Sequence, residues 1–201
     1  LQLAIIPESR MIDLETPAAH AASPADEIPL PEEIVRKIAQ AKRPLIWAGG
    51  GVIAADASDE VKKLAEMTGA GVITSESGKG AIPEDHPQCI GHFAFYEATQ
   101  ELLRKSDLVI SIGVLFRGNE THNWKLPFPE DHIGIDMDWQ AFNLNYPVTY
   151  GLKGDAKRTL TQLLKALAEH EVPPDAAYVN EVKATRDEVR AALRKTLGPY
   201  E

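Results

Sequence analysis

"LIWAGGGVIA", residues 45–54, passes from an apolar run into three consecutive glycines, and how it is read decides the fold. The run followed by Gly49-Gly50-Gly51 and then Ala54 fits G-x-G-x-x-A, a turn in which missing side chains let backbone N–H groups approach a pyrophosphate. The same glycines also suit a tight strand-to-helix corner that needs no ligand, because glycine adopts backbone conformations that other residues avoid. Both readings place a β-strand here.

On either side the chain alternates short apolar runs with longer amphipathic segments, the signature of a parallel sheet with covering helices. Pro31, Glu32 and Glu33 open a helix whose Ile34, Val35, Ile38 and Ala39 fall at helical spacing. "SDEVKKLAEMTG" predicts a helix with Val61, Leu64 and Ala65 inward, Ser58 as its cap and Gly69 as its stop. "AGVITS" is a second strand, and "FYEATQELLRKS" a helix with Phe95, Ala98 and Leu102 on one face. "DLVISIGV" reads as a strand covered on both sides, followed by strands in "HIGIDMD" and "PVTYGL". Asp155 then caps a helix carrying Leu160, Leu163, Leu164 and Leu167 at i, i+3, i+4 and i+7.

The ends read differently from the body. Residues 1–30 are proline-rich and alanine-rich and predict a linker; residues 31–170 form the domain; residues 171–201 predict a charged helical extension or linker set off by Pro173 and Pro174. The first residue is Leu1 rather than Met, which suggests a piece of a longer protein.

Composition narrows the function classes. With 201 residues, 44% hydrophobic and 25% charged, the chain can bury a core. A formal net charge of -9 argues against nucleic acid or an anionic membrane as partner, since phosphate neutralisation needs clustered Lys and Arg. Cys89 is the single cysteine, so no internal disulfide forms; this and the absence of a spanning apolar stretch or a signal-like start give a cytoplasmic expectation.

A second glycine cluster, "TSESGKGAIPEDHP" at 74–87, is not a Walker loop: Ile73 stands where its first glycine belongs, and Gly80 follows Lys79. Thr74, Ser75 and Ser77 instead place hydroxyls at the carboxyl end of a strand, where open α/β sheets bind ligands, unless the segment is a solvated turn. Glu76 is placed, a little late, for the acid that binds ribose in a nicotinamide-dependent oxidoreductase. Asp136 and Asp138 could hold ribose hydroxyls or cap the next turn. His86, His92, His122 and His132 lack metal-ligand spacing, so no metal is assigned. Trp124, Trp139, Phe116 and Phe128 could stack on a base, but packing is the preferred reading. The polar, aromatic loop 117–131 is of the kind that carries specificity.

The order "RPLIWAGGGV", "TSESGKGAIPEDHP", "IGHF", "SDLVISIGVLF", "HIGIDMD", "GDAKRTLTQLL" resembles the central domain of thiamine-diphosphate-dependent enzymes of the acetolactate synthase, pyruvate oxidase and 2-keto-acid decarboxylase group, over roughly residues 30–168. The resemblance implies an α/β fold, a six-stranded parallel sheet with helices on both faces, set between pyrimidine- and pyrophosphate-binding domains in a homo-oligomer, a dimer or tetramer. It implies lyase or transferase chemistry on 2-keto acids, with thiamine diphosphate and Mg2+ held by those other domains, and no catalytic residue in this chain, which alone should be inactive. The implied site positions for FAD or ADP are Gly49, Gly50, Gly51, Thr74, Ser75, Gly91, His92, Gly113, Arg117, Asp136 and Asp155. One departure stands out. FAD-binding relatives commonly read Gly-Ala-Arg-Phe after the "DLVISIG" strand, whereas Gly113-Val114-Leu115-Phe116-Arg117 puts Leu115 at the arginine position, with Arg117 two residues on. Two further readings stay open: a purely structural, oligomerising domain, and a free-standing NAD-dependent oxidoreductase.

Overall fold

The structure, a computed structural model, describes residues 30–198. The expected linker therefore lies, but for Leu30, outside the described residues. In chain order the elements are α1 (Glu32–Gln40), β1 (Pro44–Ala48), α2 (Gly50–Ala54), α3 (Ser58–Thr68), β2 (Gly71–Thr74), β3 (Cys89–Gly91), α4 (Glu97–Arg104), β4 (Leu108–Ile112), β5 (His132–Asp136), β6 (Tyr150–Lys153), α5 (Ala156–Leu167) and α6 (Ala176–Leu197).

The six strands form one parallel sheet in the order β3-β2-β1-β4-β5-β6. Alternation along β1 sorts its side chains into two layers. Ile46 and Ala48 join Ile110, Ile133, Val61, Leu64, Leu160 and Leu163 beneath α1, α3 and α5. Leu45 and Trp47 join Ile73, Ile90, Leu102, Leu103, Tyr178 and Val182 beneath α4 and α6. Burial on both faces explains why β1 and β4 are apolar but for Ser111.

The C-terminal segment is the 22-residue α6. Asp175 caps it by accepting the N–H groups of Ala177 and Tyr178 at 2.8 and 3.1 Å. Tyr178 is buried and donates its hydroxyl to the carbonyl of Pro44 at 2.8 Å, so α6 covers the β1-β2-β3 half of the sheet. Cys89 lies in the opposite core, where burial pushes its thiol up to about 11. The amino edge is fastened by polar contacts: Lys37 donates to both Asp131 oxygens at 2.8 Å, and Asp107 accepts the N–H groups of Lys42 and Arg43 at 2.7 and 3.0 Å.

Several local expectations change. Ser58 is inside α3, not its cap; Ala57 holds that position, and the Ser58 hydroxyl turns to the Gly80 carbonyl at 3.3 Å. The helix expected from Phe95 starts at Glu97, because Phe93, Phe95 and Tyr96 pack on one another in a turn closed by the Tyr96 N–H on the Phe93 carbonyl at 3.2 Å. Its buried face is Thr99, Leu102 and Leu103; Phe95 is exposed. β3 was not anticipated, having three residues and no repeat to signal it. Gly69 stops α3 with φ +75°, and Asp155 caps α5 through the N–H of Arg158 at 2.9 Å, both as expected.

Candidate functional site

Strand order reverses between β1 and β4, and the crevice outside the carboxyl ends at such a point is where open α/β sheets bind ligands. Here the two strand ends meet backbone to backbone. Gly49 N–H donates to the Ile112 carbonyl at 2.8 Å, and Gly51 N–H to the Gly113 carbonyl at 3.1 Å. A Cβ on Gly49 would lie 2.1 Å from the Gly113 oxygen, and one on Gly78 would lie 2.1 Å from the Ala48 oxygen. The glycines of both clusters thus let three chain segments touch, and Gly113 itself has φ +57°.

Two clefts flank this contact. The first, about 200 Å³, is lined by Gly50, Gly51, Ser75, Ser77, Gly113, Val114, Leu115, Arg117 and Glu120. The second, about 410 Å³, is lined by Gly51, Ala54, Ala55, Gly113, Leu115, Ile135, Met137, Ala156 and the carboxylates of Asp136, Asp138 and Asp155, among others. Leu115 is 50% exposed and Met137 61% exposed, so apolar surface lies open beside the acids.

The sequence-derived positions divide accordingly. Gly50, Gly51, Ser75, Gly113 and Arg117 meet at the first cleft, and Gly51, Gly113, Asp136 and Asp155 at the second. Gly49 is used up in the strand contact. Thr74, Gly91 and His92 line neither cleft; His92 Nδ1 is 3.3 Å from the Thr74 carbonyl, and the buried Thr74 hydroxyl has no partner. Glu76, the expected ribose acid of an oxidoreductase, is exposed and also lines neither.

Arg117, two residues past the position filled by Leu115, brings a cation to the glycine turn. Glu120 had no sequence signal, since an acid in a polar loop reads as solvated. It is 5% exposed, and its Oε1 accepts the Glu76 N–H at 2.8 Å, tying the loop after β4 to the loop after β2.

The acids of the second cleft are partly committed. Asp136 Oδ1 accepts the Asp138 N–H, and Asp138 Oδ1 the Gln140 N–H, each at 2.9 Å. Asp155 Oδ1 caps α5. His132 is buried in the sheet; its Nδ1–H donates to the Pro147 carbonyl and its Nε2 accepts the Ser111 hydroxyl, both at 2.8 Å, the tautomer that a carbonyl partner requires. Burial holds its pKa below the ordinary 6.5. Phe116 and Phe128 pack with Trp47 and Tyr146. Trp124 and Trp139 are half or more exposed, the first donating Nε1–H to the Phe116 carbonyl at 2.8 Å.

Comparison with known proteins follows from this geometry. The family described as "Thiamine pyrophosphate enzyme, central domain" matches residues 31–163. The chain belongs to this family. A probable 2-ketoarginine decarboxylase of Pseudomonas aeruginosa is 33% identical over 178 residues, 87% of this chain and 31% of that protein. An acetolactate synthase of Mycobacterium bovis is 32% identical over 162 residues, 76% of this chain and 26% of the relative. A solved structure from Mycobacterium smegmatis, described as "a putative thiamin diphosphate-dependent enzyme", aligns with TM-score 0.54 and 27% identity over 71% of this chain and 28% of that one. The central domain thus spans less than a third of each of these.

The family's own cofactor does not fit the residues present. The Asp155 side chain caps a helix, and among the described residues no group of three or more His, Cys, Asp or Glu could hold a metal ion. The described residues therefore offer no ligand set for a metal-bound diphosphate. Among the described residues no helix is long and apolar enough to cross a membrane.

Proposed function

We propose that this domain is the scaffold of a thiamine-diphosphate-dependent enzyme that makes or breaks a bond beside a 2-keto-acid carbonyl, and that its second cleft holds the nucleoside part of ADP or FAD. The parent would be a cytoplasmic homo-oligomer, a dimer or tetramer, whose other domains carry thiamine diphosphate, Mg2+ and the catalytic groups; this domain carries none. The observation that carries the nucleotide reading is the second cleft itself. It lies at the sheet's reversal point and sets Asp136, Asp138 and Asp155 beside the open apolar surface of Leu115 and Met137. Carboxylates accept ribose hydroxyls, and apolar surface takes a base. The phosphates would turn towards Gly50 and Arg117.

A second reading, a scaffold that binds nothing, is favoured by the glycine contacts, which the strand packing already requires. Thermal unfolding with FAD, ADP, CoA and NAD separates the two. A ligand at about a hundred times its Kd adds about 2.7 kcal/mol to stability. A shift with ADP or FAD that Asp136→Asn removes supports the nucleotide reading; no shift with any of the four supports the scaffold. A full-length parent lacking thiamine-dependent turnover of any 2-keto acid would refute the parent activity.

A further inference from the structure

In a parallel sheet all strands end on the same edge, so the segments that leave them gather there. Of the eight large apolar side chains exposed among the described residues, seven stand in the segments that leave β1, β3, β4 and β5; only Leu197, at the end of α6, does not. The carboxyl edge is therefore where this domain keeps apolar surface in water. The most exposed of it belongs to the loop after β5, where Met137, Trp139 and Leu144 are 61%, 60% and 61% exposed.

That loop is fixed at several points. Phe142 turns inward, and a Cβ on either of the register partners Gly134 and Gly151 would come within 3.1 or 3.0 Å of its ring. Trp139 stands edge-on to Phe142, with ring centroids 5.3 Å apart. Asn143, at φ +60°, accepts the Val148 N–H on Oδ1 at 2.7 Å, and Asn145 donates Nδ2–H to the Leu115 carbonyl at 2.8 Å. Trp139 and Leu144 are thus held out by a built turn. Single exposed apolar residues are ordinary, but several on one fixed loop mark a surface that is covered in the working protein. Trp and Met are also side chains favoured at interface centres.

Length and charge select the occupant. The 2-ketoarginine decarboxylase relative is matched over 31% of its length and the acetolactate synthase over 26%, so most of each relative lies in other segments. A second copy of this chain is disfavoured by the net charge of -9 that each copy carries. Asp136 and Asp138, just before Trp139, make the surroundings acidic, and a complementary face has a basic rim.

We infer that the loop after β5, through Trp139 and Leu144, is the seat of another domain of the parent polypeptide, one that presents an apolar socket rimmed by Lys or Arg. The inference rests on the parent reading of the proposed function. It is independent of the nucleotide reading, since neither Trp139 nor Leu144 lines either cleft.

Hydroxyl-radical footprinting of this chain and of the full-length parent, both without added nucleotide, tests it. Trp139 and Leu144 are expected to oxidise rapidly in this chain and several-fold more slowly in the parent. Trp139→Lys with Leu144→Lys should leave the urea midpoint of this chain unchanged and lower the melting temperature of the parent. Equal oxidation rates in the two proteins overturn the inference. So does slow oxidation in this chain itself: a dimer in sedimentation would assign the loop to a second copy, a monomer to another segment of the same chain. A parent that turns over no 2-keto acid yet protects Trp139 loses the parent activity and keeps the interface; an active parent with Trp139 reactive loses the interface alone.

Discussion

Gly49 and Gly113 meet so closely that a methyl group on the first would stand 2.1 Å from the carbonyl oxygen of the second. Both atoms belong to rigid backbone, so strands β1 and β4 must separate to admit it. Gly49→Ala is expected to lower stability by about 2–4 kcal/mol. Gly50→Ala is the control: its Cβ meets nothing nearer than the Ser77 Cβ at 3.0 Å, and the change is expected to stay within about 1 kcal/mol. Urea unfolding of the two variants checks the difference; equal losses would show that the contact is not what the glycine serves.

His132 gives a pH dependence with a definite sign. Burial, partly offset by its bond to the Pro147 carbonyl, lowers its folded pKa below the ordinary 6.5, so the folded chain favours the neutral ring and the unfolded chain takes up the proton first. The His132 contribution is whole above about pH 6.5 and is lost as pH falls below it. His132→Asn should be less stable at neutral pH, yet its urea midpoint should fall less than that of the parent chain between pH 7.5 and 5.5. An unchanged slope would mean that other groups set it.

Tyr178 tests how α6 is held. Its hydroxyl donates to Pro44, and both are buried. Tyr178→Phe leaves the ring in place and strands the carbonyl, at a cost of about 1–2 kcal/mol. A denaturation curve with no loss would show that the carbonyl finds water instead.

Leu115 is the position where nucleotide affinity can be raised. Half exposed, it tolerates substitution, with an expected change of about 0.5 kcal/mol or less in stability. Leu115→Arg adds a cation to the wall between the clefts and should tighten ADP binding about tenfold. Titration giving equal affinity for both chains would place any nucleotide elsewhere.

The central strands and most helices were legible because each carries its own periodicity: the apolar run of β4, the leucines of α5, the glycine that stops α3. β3 escaped because three residues hold no repeat, and Phe95 was turned the wrong way because its partners are neighbouring rings rather than the sheet. The site was half legible. Glycines, Asp136 and Asp155 announce themselves through their place after strands or before a helix. Glu120 does not, since its burial arises only when the β4 loop closes against Glu76. Likewise nothing in the spacing shows that Arg117 returns to the glycine turn.

Gly51, Gly113 and Leu115 line both clefts, and this common partition has a thermodynamic meaning. An occupant that pushes it aside enlarges its own chamber and narrows the other. Any communication routed through the partition is therefore antagonistic, and linkage makes the penalty equal whichever ligand arrives first. The same three residues would then work as a balance beam between the two chambers.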